Sequence, residues 1–210
     1  TLAELYGRPA LLFNSGYHAN VGIIQTLADR RTLVLADKLI HASVIDGLRL
    51  AGAAFERFRH NDIEHLQRLI DRRKADFDRL LVVVESVYSM DGDCAPLEEL
   101  AELKQHYPSL LLYVDEAHAV GVCGPGGLGL SAALPEPGAA DIVVGTHGKA
   151  LASSGAYAIC SSALRSYFIN KARSLIFSTA LPPLQALWSK YIIERVAEMD
   201  SRREHLRRLA

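Results

Sequence analysis

Short apolar runs alternate with segments of helical periodicity along most of the chain. Ala10–Phe13, Thr32–Ala36, Ala54–Phe58, Leu80–Val84, Leu110–Val114, Ile142–Val144 and Ala156–Cys160 have the length and character of strands, Leu80–Val84 being the clearest buried one. Between them the spacing predicts helices over Ser15–Asp29, His41–Leu50, Asp62–Lys74, Pro96–His106 and Ser162–Lys171. Such alternation predicts an α/β fold, three layers (α/β/α) with a mostly parallel sheet covered on both faces. The Gly- and Pro-rich stretch Gly121–Gly138 reads as a mobile loop. Leu184, Leu187, Trp188, Tyr191, Ile192 and Val196 predict one long amphipathic helix over Leu184–Ala210, basic at Arg202, Arg203, Arg207 and Arg208 and without a glycine stop. A solvated helix end explains that basic run better than a nucleic-acid patch does. The division expected is a large domain over 1–183 and a helix over 184–210 leading toward a further domain.

Composition narrows the class. Of 210 residues, half are hydrophobic and 22% charged, with 23 Lys plus Arg against 24 Asp plus Glu and a formal net charge of -1. That balance gives no general attraction to nucleic acid or an acidic membrane. No apolar run approaches the ~20 residues of a membrane span. Cys94, Cys123 and Cys160 are too scattered for a disulfide framework or a zinc site and fit a reducing compartment. The chain begins at Thr1 with no charged-then-apolar leader, so a cytoplasmic protein is expected.

Ligands of open α/β sheets sit beyond the carboxyl ends of the strands. Leu80–Val84 is followed by Glu85, Ser86 and Ser89; Leu110–Val114 by Asp115, Glu116 and His118; Ile142–Val144 by Gly145, Thr146, His147, Gly148 and Lys149. If these strands are neighbours, carboxylates, hydroxyls, imidazoles and an amine converge on one cleft. Asn14-Ser15-Gly16-Tyr17 adds a strand-to-helix junction whose free N–H groups suit a phosphate.

Three local motifs point elsewhere. Asp115-Glu116-Ala117-His118 spells the acidic motif of a helicase-type ATPase, but the only Gly-Lys pair, Gly148-Lys149, lacks the upstream glycine and following hydroxyl of a phosphate loop. Gly124-Pro125-Gly126-Gly127-Leu128-Gly129 has dinucleotide-fingerprint spacing but neither follows a strand directly nor opens a helix. Arg72-Arg73-Lys74 closes a helix, where cations suit the dipole.

Thr146-His147-Gly148-Lys149-Ala150-Leu151 resembles the lysine segment of pyridoxal-phosphate enzymes of the aminotransferase fold. With Val114–His118, Ser89–Asp93, Lys38–Ser43 and Asn14–Tyr17 in this order, the chain is similar to the α-oxoamine synthases from Thr1 to about Leu184. The resemblance implies that family's large domain and its chemistry, a decarboxylative joining of an amino acid to an acyl thioester of coenzyme A or acyl-carrier protein. Ile176–Pro183 favours the branch using L-alanine and a pimeloyl thioester; branches using glycine or serine share the cofactor motifs. The resemblance also assigns roles. Lys149 would hold pyridoxal 5'-phosphate as a Schiff base and move the substrate α-proton. Asp115 would face the pyridine nitrogen, and His41 would stack on the ring. His118 and Ser89 would bind the ring hydroxyl, with Glu85 near them. Gly16, Tyr17 and Thr146 would border the cofactor and its phosphate. Ser178 and Thr179 would reach the phosphate of a second subunit in a homodimer; read alone, they cap the last helix. His147 and Ala152 depart from the family pattern, where aromatic or aliphatic residues and glycine, respectively, are common; neither removes a needed group, and both leave the substrate preference open. A domain that keeps the fold without catalysis is the remaining alternative.

Overall fold

The computed structural model describes residues 1–210. Seven strands form one sheet: β1 (Ala10–Phe13), β2 (Thr32–Asp37), β3 (Ala54–Phe58), β4 (Arg79–Glu85), β5 (Leu110–Asp115), β6 (Ile142–Thr146) and β7 (Ala156–Ile159), in the order β1-β7-β6-β5-β4-β2-β3. Only β7 runs against its neighbours. The helices are α1 (Leu2–Tyr6), α2 (Gly16–Leu27), α3 (Ala42–Ala51), α4 (Ile63–Arg73), α5 (Leu97–Gln105), α6 (Ser162–Lys171), α7 (Arg173–Ile176), α8 (Pro183–Val196) and α9 (Asp200–Leu209).

Strand residues alternate between two cores. Leu33, Leu35, Leu80, Val82 and Val84 pack with Leu66 and Ile70 of α4, Leu100 of α5 and Ile193 of α8. Val34, Ala36, Leu81 and Val83 pack with Ile23 and Ile24 of α2, Val44 of α3 and Phe168 of α6. Both faces are covered, which is why the central strands read as unbroken apolar runs. Each fully buried Leu, Ile, Val or Phe contributes roughly 1.5–3 kcal/mol of transfer free energy. Helix starts follow local chemistry: Ser15 Oγ accepts the His18 N–H and Asp62 Oδ1 accepts the His65 N–H.

Two expectations need correction. The last helix is broken between α8 and α9, because the buried Arg203 guanidinium donates to Val196 O at 2.6 Å and Ala197 O at 3.4 Å and so ends α8 without a glycine. The segment expected to be a mobile loop carries short 3-10 turns and is fastened to Glu116, whose carboxylate accepts the Leu130 N–H at 3.1 Å and the Ser131 N–H at 2.6 Å. The basic residues closing α4 also pair with carboxylates, Arg72 and Arg73 with Glu56 and Lys74 with Asp71. No helix is long and apolar enough to cross a membrane.

What positions the site is the adjacency of β4, β5 and β6. Glu85 lies beside Asp115, and Asp115 beside Val144, in register. Their carboxyl ends therefore open side by side.

Candidate active site

A cleft of about 180 Å³ lies beyond those ends, lined by Gly16, Tyr17, Asn20, His41, Glu85, Asp115, Ala117, His118, Thr146 and Lys149. Eight of these ten, all but Asn20 and Ala117, are site residues expected from the sequence. Ser89, Ser178 and Thr179 do not line it. Ser89 is exposed on the turn after β4, with its backbone N–H toward the Glu85 carboxyl. Ser178 Oγ donates to Ser174 O at 2.7 Å, and Thr179 O accepts from Asn14 Nδ2 at 2.8 Å. Neither caps α8, whose N-cap is Pro182.

Gly16 starts α2, where the first N–H groups have no partner within the helix. A Cβ here would meet nothing closer than Thr146 Cβ at 3.8 Å, so the missing side chain leaves open cleft rather than relieving a clash. Thr146 Oγ1 accepts the Gly148 N–H at 3.3 Å and donates to Gly155 O at 3.2 Å. Tyr17 stands at the rim, its hydroxyl donating to Asp46 Oδ2 at 2.8 Å.

His41 is held at the start of α3 by Ser43. It caps α3, and its Nδ1 accepts the Ser43 N–H at 3.2 Å. Asp115 is buried and is neither a surface pair nor a plain helix cap: Oδ1 accepts the Ala117 N–H at 2.9 Å and Oδ2 accepts from Asn20 Nδ2 at 2.7 Å. Glu116 points away and hydrogen-bonds Ser86 Oγ as well as the Leu130–Ser131 backbone. It is committed to holding a loop, which removes the basis for an ATPase motif.

Lys149 Nζ lies 2.6 Å from His118 Nε2. Burial lowers the lysine pKa, while Asp115 and Glu85 act against that shift. Burial and the lysine charge lower the His118 pKa, so the imidazole is neutral and accepts from the ammonium. Burial, and then the Asp115 charge, push Glu85 up to about 7; its Oε1 has no hydrogen-bond partner. An amine of lowered pKa beside a carboxyl of raised pKa in one cleft marks a candidate functional site.

The turn carrying Lys149 is tight. Ala152 N donates to Lys149 O at 3.0 Å, and Ala152 has φ of 45°, the left-handed region that glycine adopts freely. That left-handed conformation suits the glycine that the family resemblance implies at this position. Trp188 Nε1 of α8 donates to Ala152 O at 3.0 Å. The His147 side chain is buried against Tyr157, with ring centroids 5.4 Å apart, and does not line the cleft.

Three contributors escaped the sequence reading: Asn20, Ser43 and Tyr113, which are joined by hydrogen bonds behind the cleft. A polar residue within the buried stripe Ala19, Ile23, Ile24 of α2 was the available signal for Asn20.

The family model for class I and II aminotransferases matches residues 1–210. The chain belongs to the class I and II aminotransferase family. Among curated relatives of this aminotransferase-family chain, a protein of Pasteurella multocida named "Putative 8-amino-7-oxononanoate synthase" is 53% identical over 210 residues, 100% of this chain and 54% of the relative. A Haemophilus influenzae protein of the same name is 53% identical over 201 residues, 96% of this chain and 53% of the relative. The chain thus spans about half the length of the curated relatives it matches. Serine palmitoyltransferase from S. paucimobilis, solved with pyridoxal phosphate joined to myriocin, matches with TM-score 0.91 and 35% identity over 98% of this chain and 53% of that one. An 8-amino-7-oxononanoate synthase from Francisella tularensis matches with TM-score 0.85 and 32% identity over 97% of this chain and 58% of that one. The expected fold and family both hold.

Proposed function

We propose that the protein is a pyridoxal-phosphate-dependent acyltransferase of the α-oxoamine synthase type. The observation that carries this reading is the Lys149–His118 contact facing Asp115 and Glu85 at the ends of adjacent strands. The donor set suits a planar phosphorylated aldehyde: an amine of lowered pKa, a buried carboxylate for a ring nitrogen, and a helix start beside a threonine hydroxyl for a phosphate. When bound, the cofactor supplies an electron sink for a carbanion at the substrate α-carbon.

The protein's own residues do the rest. Lys149 Nζ would hold the cofactor and would serve as the base that moves the substrate α-proton. His118 accepts a hydrogen bond from Lys149 Nζ and so aims it, and would bind the ring hydroxyl. Asp115, supported by Asn20 and the Ala117 N–H, would hold a proton on the heterocycle. His41 would cover one face of the ring. Ser89, outside the cleft lining here, would bind the ring hydroxyl only if its turn closes on the cofactor, and Ser178 and Thr179 would serve a neighbouring subunit in a homodimer. Residues 1–183 form the cofactor-binding unit, and α8 leads toward the rest of the protein.

We infer further that the substrates are L-alanine and a pimeloyl thioester of coenzyme A or acyl-carrier protein, in the cytoplasm. A carbon–carbon bond forms at the α-carbon, the carboxylate leaves as carbon dioxide, the thiol is released, and reprotonation gives 8-amino-7-oxononanoate. The names of the two relatives support this; the TM-score of 0.91 to a serine palmitoyltransferase supports, as a second reading, a related synthase with another amino acid and acyl group. The test is thiol release by the full-length protein with pimeloyl thioester and L-alanine, glycine or L-serine. Selective turnover with L-alanine supports the first reading; selective turnover with L-serine or glycine replaces it with the second.

A further inference from the structure

Behind the cleft, one buried amide touches the supports of both the ring edge and the ring face. Asn20, 2% exposed, donates from Nδ2 to Asp115 Oδ2 at 2.7 Å and to Ser43 Oγ at 2.9 Å, and its Oδ1 lies 2.6 Å from the Tyr113 hydroxyl. Ser43 Oγ in turn lies 2.7 Å from His41 Nδ1. The proton positions follow by elimination. A carboxylate can only accept from Asn20, so the amide nitrogen faces Asp115 and the amide oxygen faces Tyr113. Tyr113 must then donate to that oxygen and cannot donate elsewhere. Ser43 Oγ, having accepted from Asn20, has its own proton left for His41 Nδ1. The Ser43 backbone N–H also points at Nδ1, at 3.2 Å, so Nδ1 carries no hydrogen.

We propose that Asn20 is a positioning residue that, through this directed hydrogen-bond chain, aims the Asp115 carboxylate at the cofactor's ring nitrogen and fixes the His41 imidazole as the tautomer with its hydrogen on Nε2. A single amide thus orients the carboxylate at the ring edge and sets the tautomer at the ring face. Both side chains are oriented before a cofactor arrives, so little ordering is left to be done on binding. The proposal rests on the reading that Asp115 and His41 contact pyridoxal phosphate, and it adds that a residue hidden in α2 decides how well they do so.

The test uses full-length apoprotein titrated with pyridoxal phosphate, following affinity and the position of the visible absorption band. The unaltered protein comes first: no band at all defeats the cofactor reading itself and not the network alone. With a band present, Asn20→Leu, near in volume but without hydrogen bonds, is expected to weaken binding about tenfold or more and to displace the band, because ring protonation is less well supported. Ser43→Ala removes only the histidine arm and is expected to weaken binding by a few-fold with the band in place. Asn20→Ser, which keeps a donor, restores part of the affinity and the band position, and serves where Asn20→Leu does not fold. Isotope-edited imidazole spectra of the apoprotein, with His41 assigned through His41→Gln, report the tautomer without any cofactor. Nε2–H in the unaltered protein is expected. An unmoved band and unchanged affinity in Asn20→Leu, or a proton on Nδ1 of His41, overturns the proposal.

Discussion

The Lys149 amine and the His118 imidazole sit 2.6 Å apart at the mouth of a cleft floored by two carboxylates. Burial lowers both pKa values, and the two nearby acids oppose the shift only at the lysine in full. The pair is therefore an amine that loses its proton early beside a base that stays neutral.

Capture of pyridoxal phosphate needs unprotonated Lys149, so its rate is expected to rise with pH and level off below the ordinary lysine value of 10.5. Glu85→Gln removes a charge that helps hold the lysine proton, and should move the plateau to lower pH still. Stopped-flow absorbance across pH checks this. A profile still climbing through the ordinary lysine range contradicts it.

Glu85 has a raised pKa of about 7, against 4.5 for an unperturbed group. Below 4.5 both folded and unfolded chains hold the proton, and the group makes no difference. Between those values the unfolded chain releases a proton that the folded one keeps, so stability falls as pH rises; above about 7 the penalty is complete. Apoprotein Glu85→Gln escapes this penalty. Its melting temperature relative to the unaltered protein should therefore climb across that window and then flatten. A constant difference from acid to neutral pH rules the assignment out.

A methyl group at Gly16 has room in the fold, with its nearest neighbour 3.8 Å away, but projects into the cleft. Gly16→Ala should leave the apoprotein melting temperature within about 2 °C while weakening pyridoxal-phosphate binding about tenfold, as lost close approach at a helix start implies. Thermal scans with and without cofactor separate the two effects. Equal loss in both scans would mean that Gly16 matters to the fold instead.

Ala152 holds a left-handed φ of 45° in the Lys149 turn. Ala152→Gly relieves that strain at some cost in unfolded-chain entropy, leaving a net gain of about 1 kcal/mol or less. Calorimetry should show a melting temperature higher by roughly 2–4 °C for a domain of this size. A lower value would show that the added freedom of the unfolded chain outweighs the relief of strain.

The sheet was legible because β2, β4, β5 and β6 are buried on both faces, and the cleft because its acids, imidazole and amine directly follow apolar runs. Asn20 was hard to see for the opposite reason: it lies inside an apolar helical stripe, where its partners come from α3 and β5, distant in sequence. The end of α8 was hidden because an arginine seven residues beyond Val196, rather than a glycine, takes up its carbonyls. The Gly124–Gly129 segment read as loose because nothing local shows that Glu116 holds it. Gly129 in particular has no room for a side chain, since a Cβ there would stand 2.6 Å from the Glu116 carboxyl.

The account depends on one amine carrying the cofactor. Full-length protein loaded with pyridoxal phosphate, reduced with borohydride and mapped by peptide mass spectrometry, addresses this directly. The expected result is a phosphopyridoxyl group on Lys149 and none on Lys38, Lys74, Lys104, Lys171 or Lys190, with labelling abolished in Lys149→Ala. No label, or a label shared among those other lysines and retained in Lys149→Ala, would contradict it.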